Sequence, residues 1–283
     1  MSDCKIVERD GLELVEFDEH AHGLGLQVPE KLTLAFPPLE SRVPLLSWAK
    51  IRSIVESQDF DFGRVLFDSS WITNQNGYGS CAGYGAASAL AKARVINGQS
   101  RVDLSGDYQY SRVNGGRDRG SMLDDNMKSL VENGCCTAET VPLGGIYPRK
   151  YNKAKADTEA RRFKALDAYA ITGEQSMATA LALQMPVVVA IHVDRNWRNF
   201  DRDDVLAPSR GPGNHCEHVD DIKWSSRRGC FLYRKATSHG RNYSGDGYCW
   251  TTWNDHYKTP SRYHMFYAVP AGIQDPEADI LRN

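Results

Sequence analysis

The chain has 283 residues, 41% of them hydrophobic, and a formal net charge of −2. That apolar content suffices for one large core or two modest ones, and the interspersed charges favour neither a polyanion nor a membrane surface as partner. No run approaches the ~18 apolar residues of a membrane span, and Met1 to Asp10 lacks an apolar signal core. The expectation is a soluble cytoplasmic protein, alone or within a larger assembly, with no nucleic-acid or membrane partner.

Seven cysteines (Cys4, Cys81, Cys135, Cys136, Cys216, Cys230 and Cys249) make an odd count with no CxxC spacing. They read as reduced thiols, not as a disulfide framework or a structural zinc site. Residues 1–64 are expected to form an N-terminal arm packed on the domain. Its first 45 residues show little periodicity, and Pro29, Pro37, Pro38 and Pro44 break them into short apolar pieces. Ser47 to Gln58 has helical spacing, with Trp48, Ile51, Ile54 and Val55 on one side. Val65 to Asp68 leads into a glycine-rich stretch.

Gly77, Gly79, Gly83 and Gly85 flank Cys81 and let another backbone come close. Ala and Leu predict a helix from Cys81 to Ile96, closed by Asn97-Gly98. Cys81 then lies in the first turn, where the helix dipole and free amides favour a thiolate. The residues alone allow either a nucleophile or a small buried thiol. A further helix is predicted over Ser121 to Glu132, ended by Asn133-Gly134, and the adjacent Cys135 and Cys136 read as packing or surface thiols.

Polar Tyr151 to Arg162 reads as a crossover between two halves. Phe163 to Ile171 resembles a strand, Glu174 to Gln184 a helix, and Met185 to Asp194 a buried strand. A Gly/Pro loop, Pro208 to Asn214, then leads to His215, Glu217, His218 and Asp220, a cluster whose residue types also suit a divalent ion. Cys230 to Gly240, Gly247 to Trp253 and Tyr263 to Val269 read as strands. The charged tail, 271–283, is expected to be loosely held.

Gln75 and the Gly-x-Gly-Ser-Cys run ending at Cys81 resemble the active-site segment of papain-like cysteine peptidases. In that family the glutamine side chain and the cysteine amide form the oxyanion hole, which implies those roles for Gln75 and Cys81. Asn114-Gly115-Gly116 resembles the run that edges the family's cleft, implying that Gly115 and Gly116 pair with a substrate chain. Asn214-His215 resembles the segment of the family's catalytic histidine, about 134 residues after Cys81 where ~130–150 are expected. The resemblance implies that His215 is the general base, with His218 as its rival and His192 a lesser one. Thr237 to Tyr248 resembles the family's closing motif: Gly240, Gly247 and Tyr248 match, Thr237 stands at the orienting asparagine, and His239 stands at its covering tryptophan.

There are departures. Ala82 replaces a tryptophan, Tyr78 and Val113 delete both halves of a family disulfide, and no propeptide motif is visible. The resemblance implies an α+β papain-like fold over residues 65–270, with a helical half over about 65–155, a β-barrel half over 156–270, and a cleft between them. It implies peptide-bond hydrolysis on a polypeptide substrate by Cys81, His215 and Gln75, with Thr237 orienting the base. Gly115, Gly116, Asn214 and His239 would line the substrate site, and no metal or cofactor is implied. Thr237, Ala82 and the acidic residues after His215 leave two alternatives: an impaired pseudopeptidase that binds or builds, or a hydrolase of cell-wall peptides. The arm has an alternative as well, a divergent autoinhibitory segment.

Overall fold

The computed structural model describes residues 4–30, 34–57, 66–258 and 265–270. In the arm, Asp10-Gly11 and Asp18-Glu19 all take positive φ. Turns of that kind match the twist of the strands they join, and they fold the arm into a hairpin meander. Its strands are β1 (Lys5–Arg9), β2 (Leu12–Phe17) and β3 (His20–Leu24), antiparallel throughout. These strands carry no periodic signal because β2 buries Leu14 and Val15 in succession while β1 lies largely exposed. A short strand, β4 (Leu26–Gln27), continues the arm. Helix α1 (Trp48–Val55) starts where Ser47 caps it by accepting from the Lys50 amide, as the helical spacing predicts.

Helix α2 (Cys81–Ile96) has the predicted limits and is buried on almost every side. Small residues make that possible. A β-carbon on Gly83 would fall 2.4 Å from the Gly106 carbonyl oxygen, so α2 packs backbone to backbone on α3 (Gly106–Ser111). The predicted helix at Ser121 begins as a strand, β5 (Ser121–Met122), before α4 (Leu123–Glu132). The expected crossover contains a helix, α5 (Lys153–Ala160), capped by Asn152.

The second half is a six-stranded antiparallel sheet. It comprises β6 (Tyr169–Ala170), β7 (Val187–Ile191), β8 (His215–Ser225), β9 (Cys230–Ala236), β10 (Tyr248–Thr252) and β11 (Phe266–Ala268). The spatial order is β10-β9-β8-β7-β11-β6, and helix α6 (Glu174–Ala182) precedes β7. The strand predicted over Phe163 to Ile171 shrinks to two residues. The predicted domain start at Val65, the first residues of the last predicted strand and the tail 271–283 lie outside the described residues. Among the described residues no helix is long and apolar enough to cross a membrane.

A buried charge cluster joins the two halves behind the cleft. Asp220 of β8 pairs with Lys92 of α2 and, at 2.8 Å, with Arg234 of β9. Burial alone would neutralise Asp220, but the two cations hold its carboxyl down at about 2. Asp220→Ala removes a buried carboxylate from between two buried cations, and urea denaturation is expected to show a loss of about 3 kcal/mol or more at neutral pH. The same stabilisation is present in the wild type above the unfolded carboxyl value and is lost as pH falls towards 2.

Candidate active site

A β-carbon on Gly85 would stand 3.1 Å from Cys216 Sγ, so the glycine lets the first turns of α2 sit against the start of β8. That approach brings Cys81, first residue of α2, to His215, first residue of β8. Both are 0% exposed. His215 Nε2 lies 3.4 Å from Glu217 Oε1 on the same strand face, a charge contact rather than a hydrogen bond. Burial is the largest influence on the imidazole and disfavours its charge. Cys81 and Glu217 outweigh it and raise the ring to about 9. Burial likewise opposes the Glu217 charge, but Lys235 of β9, with Nζ 2.5 Å from Oε2, and His215 hold it ionised at about 2. Lys235 Nζ donates to the Tyr243 hydroxyl at 3.2 Å and lies 3.6 Å from the Trp197 ring centroid.

Gln75 is also fully buried. Its Oε1 accepts from Ser238 Oγ at 2.6 Å, which fixes the amide so that Nε2 points outward as a donor. That Nε2 donates to the Tyr78 carbonyl at 2.8 Å and to the Gly23 carbonyl at 2.9 Å. Gly23 belongs to the arm, which therefore runs through the cleft. The Gly23 amide donates to the Asn76 carbonyl at 3.0 Å, the Gly25 carbonyl accepts from the Ser121 amide at 2.8 Å, and the Leu26 amide donates to the Asn214 carbonyl at 3.2 Å. Strand β4 pairs with β5 in parallel, Leu26 opposite Ser121. The fit admits no side chain on that face of the arm: a β-carbon on Gly23 would lie 2.0 Å from the Tyr78 oxygen, and one on Gly25 2.0 Å from the Gly79 oxygen.

The remaining predicted residues fall in different places. Asn214 meets the arm twice, accepting from the Leu26 amide through its carbonyl and donating to Glu13 through its side chain, which also bonds the Val193 backbone. Gly115 and Gly116 both take positive φ, and no atom would crowd a β-carbon on either. The arm pairs with Ser121 and Met122 instead. Thr237 directs its hydroxyl to the His239 amide at 3.1 Å, and among the described residues it makes no hydrogen bond to His215. His239 stacks between His215 (4.4 Å) and His22 of the arm (4.7 Å). Its Nδ1 accepts from Trp197 Nε1 at 3.2 Å, and burial first, then His215, keeps the ring neutral. His192 is turned away, with Nδ1 2.8 Å from the Pro212 carbonyl oxygen.

Strand alternation splits the acidic cluster that the sequence presents after the Gly/Pro loop. His218 and Asp220 face Lys92, whereas His215 and Glu217 face Lys235. One possible ligand atom each from His215, Glu217 and His239 lies within 4.8 Å of the others, but the Lys235 ammonium already sits on the carboxylate where a cation would bind. Sequence reasoning missed Trp197, whose ring meets His215 edge-on at 5.8 Å. It also missed Ser238 and Ser121. None of them has a spacing signal, because each arrives from a loop or strand end distant in sequence.

A central helix headed by a cysteine, packed against a sheet whose first long strand opens on a histidine, defines a two-part thiol-enzyme architecture. The pattern described as "Papain family cysteine protease" matches residues 58–267. The chain belongs to that family. Its fold is similar to that of xylellain, a cysteine protease from Xylella fastidiosa, with a TM-score of 0.60, 17% identity, and 87% of this chain and 99% of that one covered. It is also similar to procathepsin L 3 of Tenebrio molitor larval midgut (TM-score 0.60, 17% identity, 88% and 77% covered) and to proCathepsin B S9 from Trypanosoma congolense (0.61, 14%, 88% and 86%). No curated protein sequence matches the chain significantly.

Gly25→Val puts a side chain where only hydrogen fits and should push the arm from the cleft. Alkylation of Cys81 by chloroacetamide, followed by mass spectrometry, is expected to accelerate about tenfold or more over the wild type, whose Cys81 is reached only by local opening.

Proposed function

We propose that the chain is a thiol-dependent peptidase in which Cys81, His215 and Gln75 act together, described here in a form closed by its own arm. The supporting observation is the Gly23 carbonyl, a peptide oxygen of the arm received by Gln75 Nε2. In an open cleft a substrate carbonyl would take that place. The Cys81 thiolate attacks its carbon, and Gln75 Nε2 with the Cys81 amide receives the negative oxygen. Imidazolium His215 gives its Nδ1 proton to the leaving amine and later, as the neutral base, draws a proton from the water that releases the acyl group.

The arm reading rests on its backbone hydrogen bonds along the cleft and on the absence of room for a side chain at Gly23 and Gly25. Two of the structurally similar proteins, procathepsin L 3 and proCathepsin B S9, are named as pro-forms. Polypeptide is the substrate class, since the sites that hold the arm hold it by its backbone. The enzyme reading is favoured over a pure binding role because His215, Glu217 and Lys235 keep costly charges in a dry site beside the thiol.

In the Gly25→Val chain, chloroacetamide should alkylate Cys81 faster than the other six cysteines at neutral pH and below. His215→Ala should abolish that low-pH reactivity, and Cys81→Ala or His215→Ala should lower hydrolysis of a peptide library about 10³-fold or more. A Cys81 that reacts no faster than the other six cysteines, with no peptide cleaved, overturns the reading. The imidazolium's contribution to stability is complete below the ~6.5 of an unfolded histidine and is lost as pH rises through about 9.

A further inference from the structure

We propose that Glu217, charged against Lys235, is the positioning residue of the catalytic base, filling from the base's own strand the part that the closing motif assigns to Thr237. The proposal rests on the peptidase reading above, since a base needs orienting only where it transfers protons.

The geometry is the first support. Two residues apart on β8, His215 and Glu217 point to one face. Glu217 Oε1 lies 3.4 Å from Nε2, while the Thr237 hydroxyl accepts from the His239 amide. An acceptor at Nε2 fixes the tautomer that leaves Nδ1 for the sulfur and for the leaving amine.

Cost is the second. Glu217 is 1% exposed and Lys235 1%. Two buried charges are no more stabilising than apolar side chains of the same volume, so packing does not account for them. Lys235 is braced for the task by the Tyr243 hydroxyl and the Trp197 ring, and Trp197 also packs on His215. The carboxylate is thus held ionised, unable to take the imidazole's proton. When His215 gives up its Nδ1 proton, the Nε2–H stays shared with Glu217, and no charge moves onto the acid. A carboxylate also holds the imidazolium more firmly than a hydroxyl or neutral amide would.

The groups that face this pair are few. Cys81 comes from α2, His22 from β3 and His239 from the loop after β9. Burial keeps both of these histidines neutral. Tyr243 and Cys249 approach Glu217, and burial pushes each of them up, to about 11 for Cys249, so neither is charged near neutral pH. Cys81 and Glu217 are therefore the groups that set the titration of His215.

The test has two arms. In the wild-type chain, ring-nitrogen NMR of His215 against pH reads the pairing without any turnover. Glu217→Gln is expected to lower the midpoint by about one pH unit or more, while Thr237→Val leaves it near the wild-type value. In the Gly25→Val chain, the alkaline limb of peptide hydrolysis should fall with the same midpoint in Glu217→Gln. The double change Glu217→Leu with Lys235→Met replaces the charges by apolar volume and keeps the fold, checked by its melting curve. It should still lower kcat about tenfold or more with KM little changed. An unmoved NMR midpoint in Glu217→Gln, or full kcat in a folded double variant, overturns the proposal. An absence of hydrolysis in every chain overturns the peptidase reading instead, and the NMR result then decides the His215–Glu217 pairing by itself.

Discussion

His215, Glu217 and Lys235 form a buried line of charge contacts, imidazole to carboxylate to ammonium, and the chemistry proposed for the site depends on it. In that interior burial opposes the charge of the imidazole and of the carboxyl, and it is the leading influence on both. Charge survives through the sequence of contacts: ammonium on carboxylate, carboxylate on imidazole, imidazole beside thiol. Strands β8 and β9 supply the first three members and α2 the fourth, so the cluster forms only where the two halves meet. The neighbouring Lys92–Asp220–Arg234 group follows the same rule on the opposite face of β8 and ties that strand to α2.

Close backbone approach is the second constraint. Gly83 admits α3, Gly85 admits β8, and Gly79 and Gly120 admit the arm. A β-carbon on Gly120 would stand 2.0 Å from the Gly25 oxygen. The cleft is consequently shaped for a polypeptide backbone, and the segment from Gly23 to Gln27 satisfies its donors and acceptors. With the arm lying along the cleft, both Cys81 and His215 are fully buried.

Much of this was legible in the sequence. The limits of α2 follow from its Ala/Leu content, its small residues and its Asn97-Gly98 stop, which put Cys81 at the head of the helix. The arm was legible in part: Asp10-Gly11 is a hairpin turn by its residue types, but consecutive buried residues in β2 erased the alternation that would have marked strands. The site's supports were harder to read. Glu217 looked like a departure or half of a metal site, because a linear sequence shows His215, Glu217, His218 and Asp220 as one cluster. Only a strand's two-residue period separates them into two faces with different neighbours. Gly115 and Gly116 matched a motif, yet the arm pairs five residues further on, at Ser121.

By itself, the sequence determined the elements whose signals are local: the cysteine at a helix start, the histidine opening a strand after a Gly/Pro loop, and the order of helical and sheet halves. Tertiary structure alone decided which groups touch. The ion pair between Glu217 and Lys235, the edge of Trp197 on His215, the turn of Thr237 towards His239 and the lodging of Gly23 on Gln75 all join residues through strand register and loop closure. No residue's own chemistry encodes that register; it is fixed by the packing of the whole chain, and the charges of the active site follow from it.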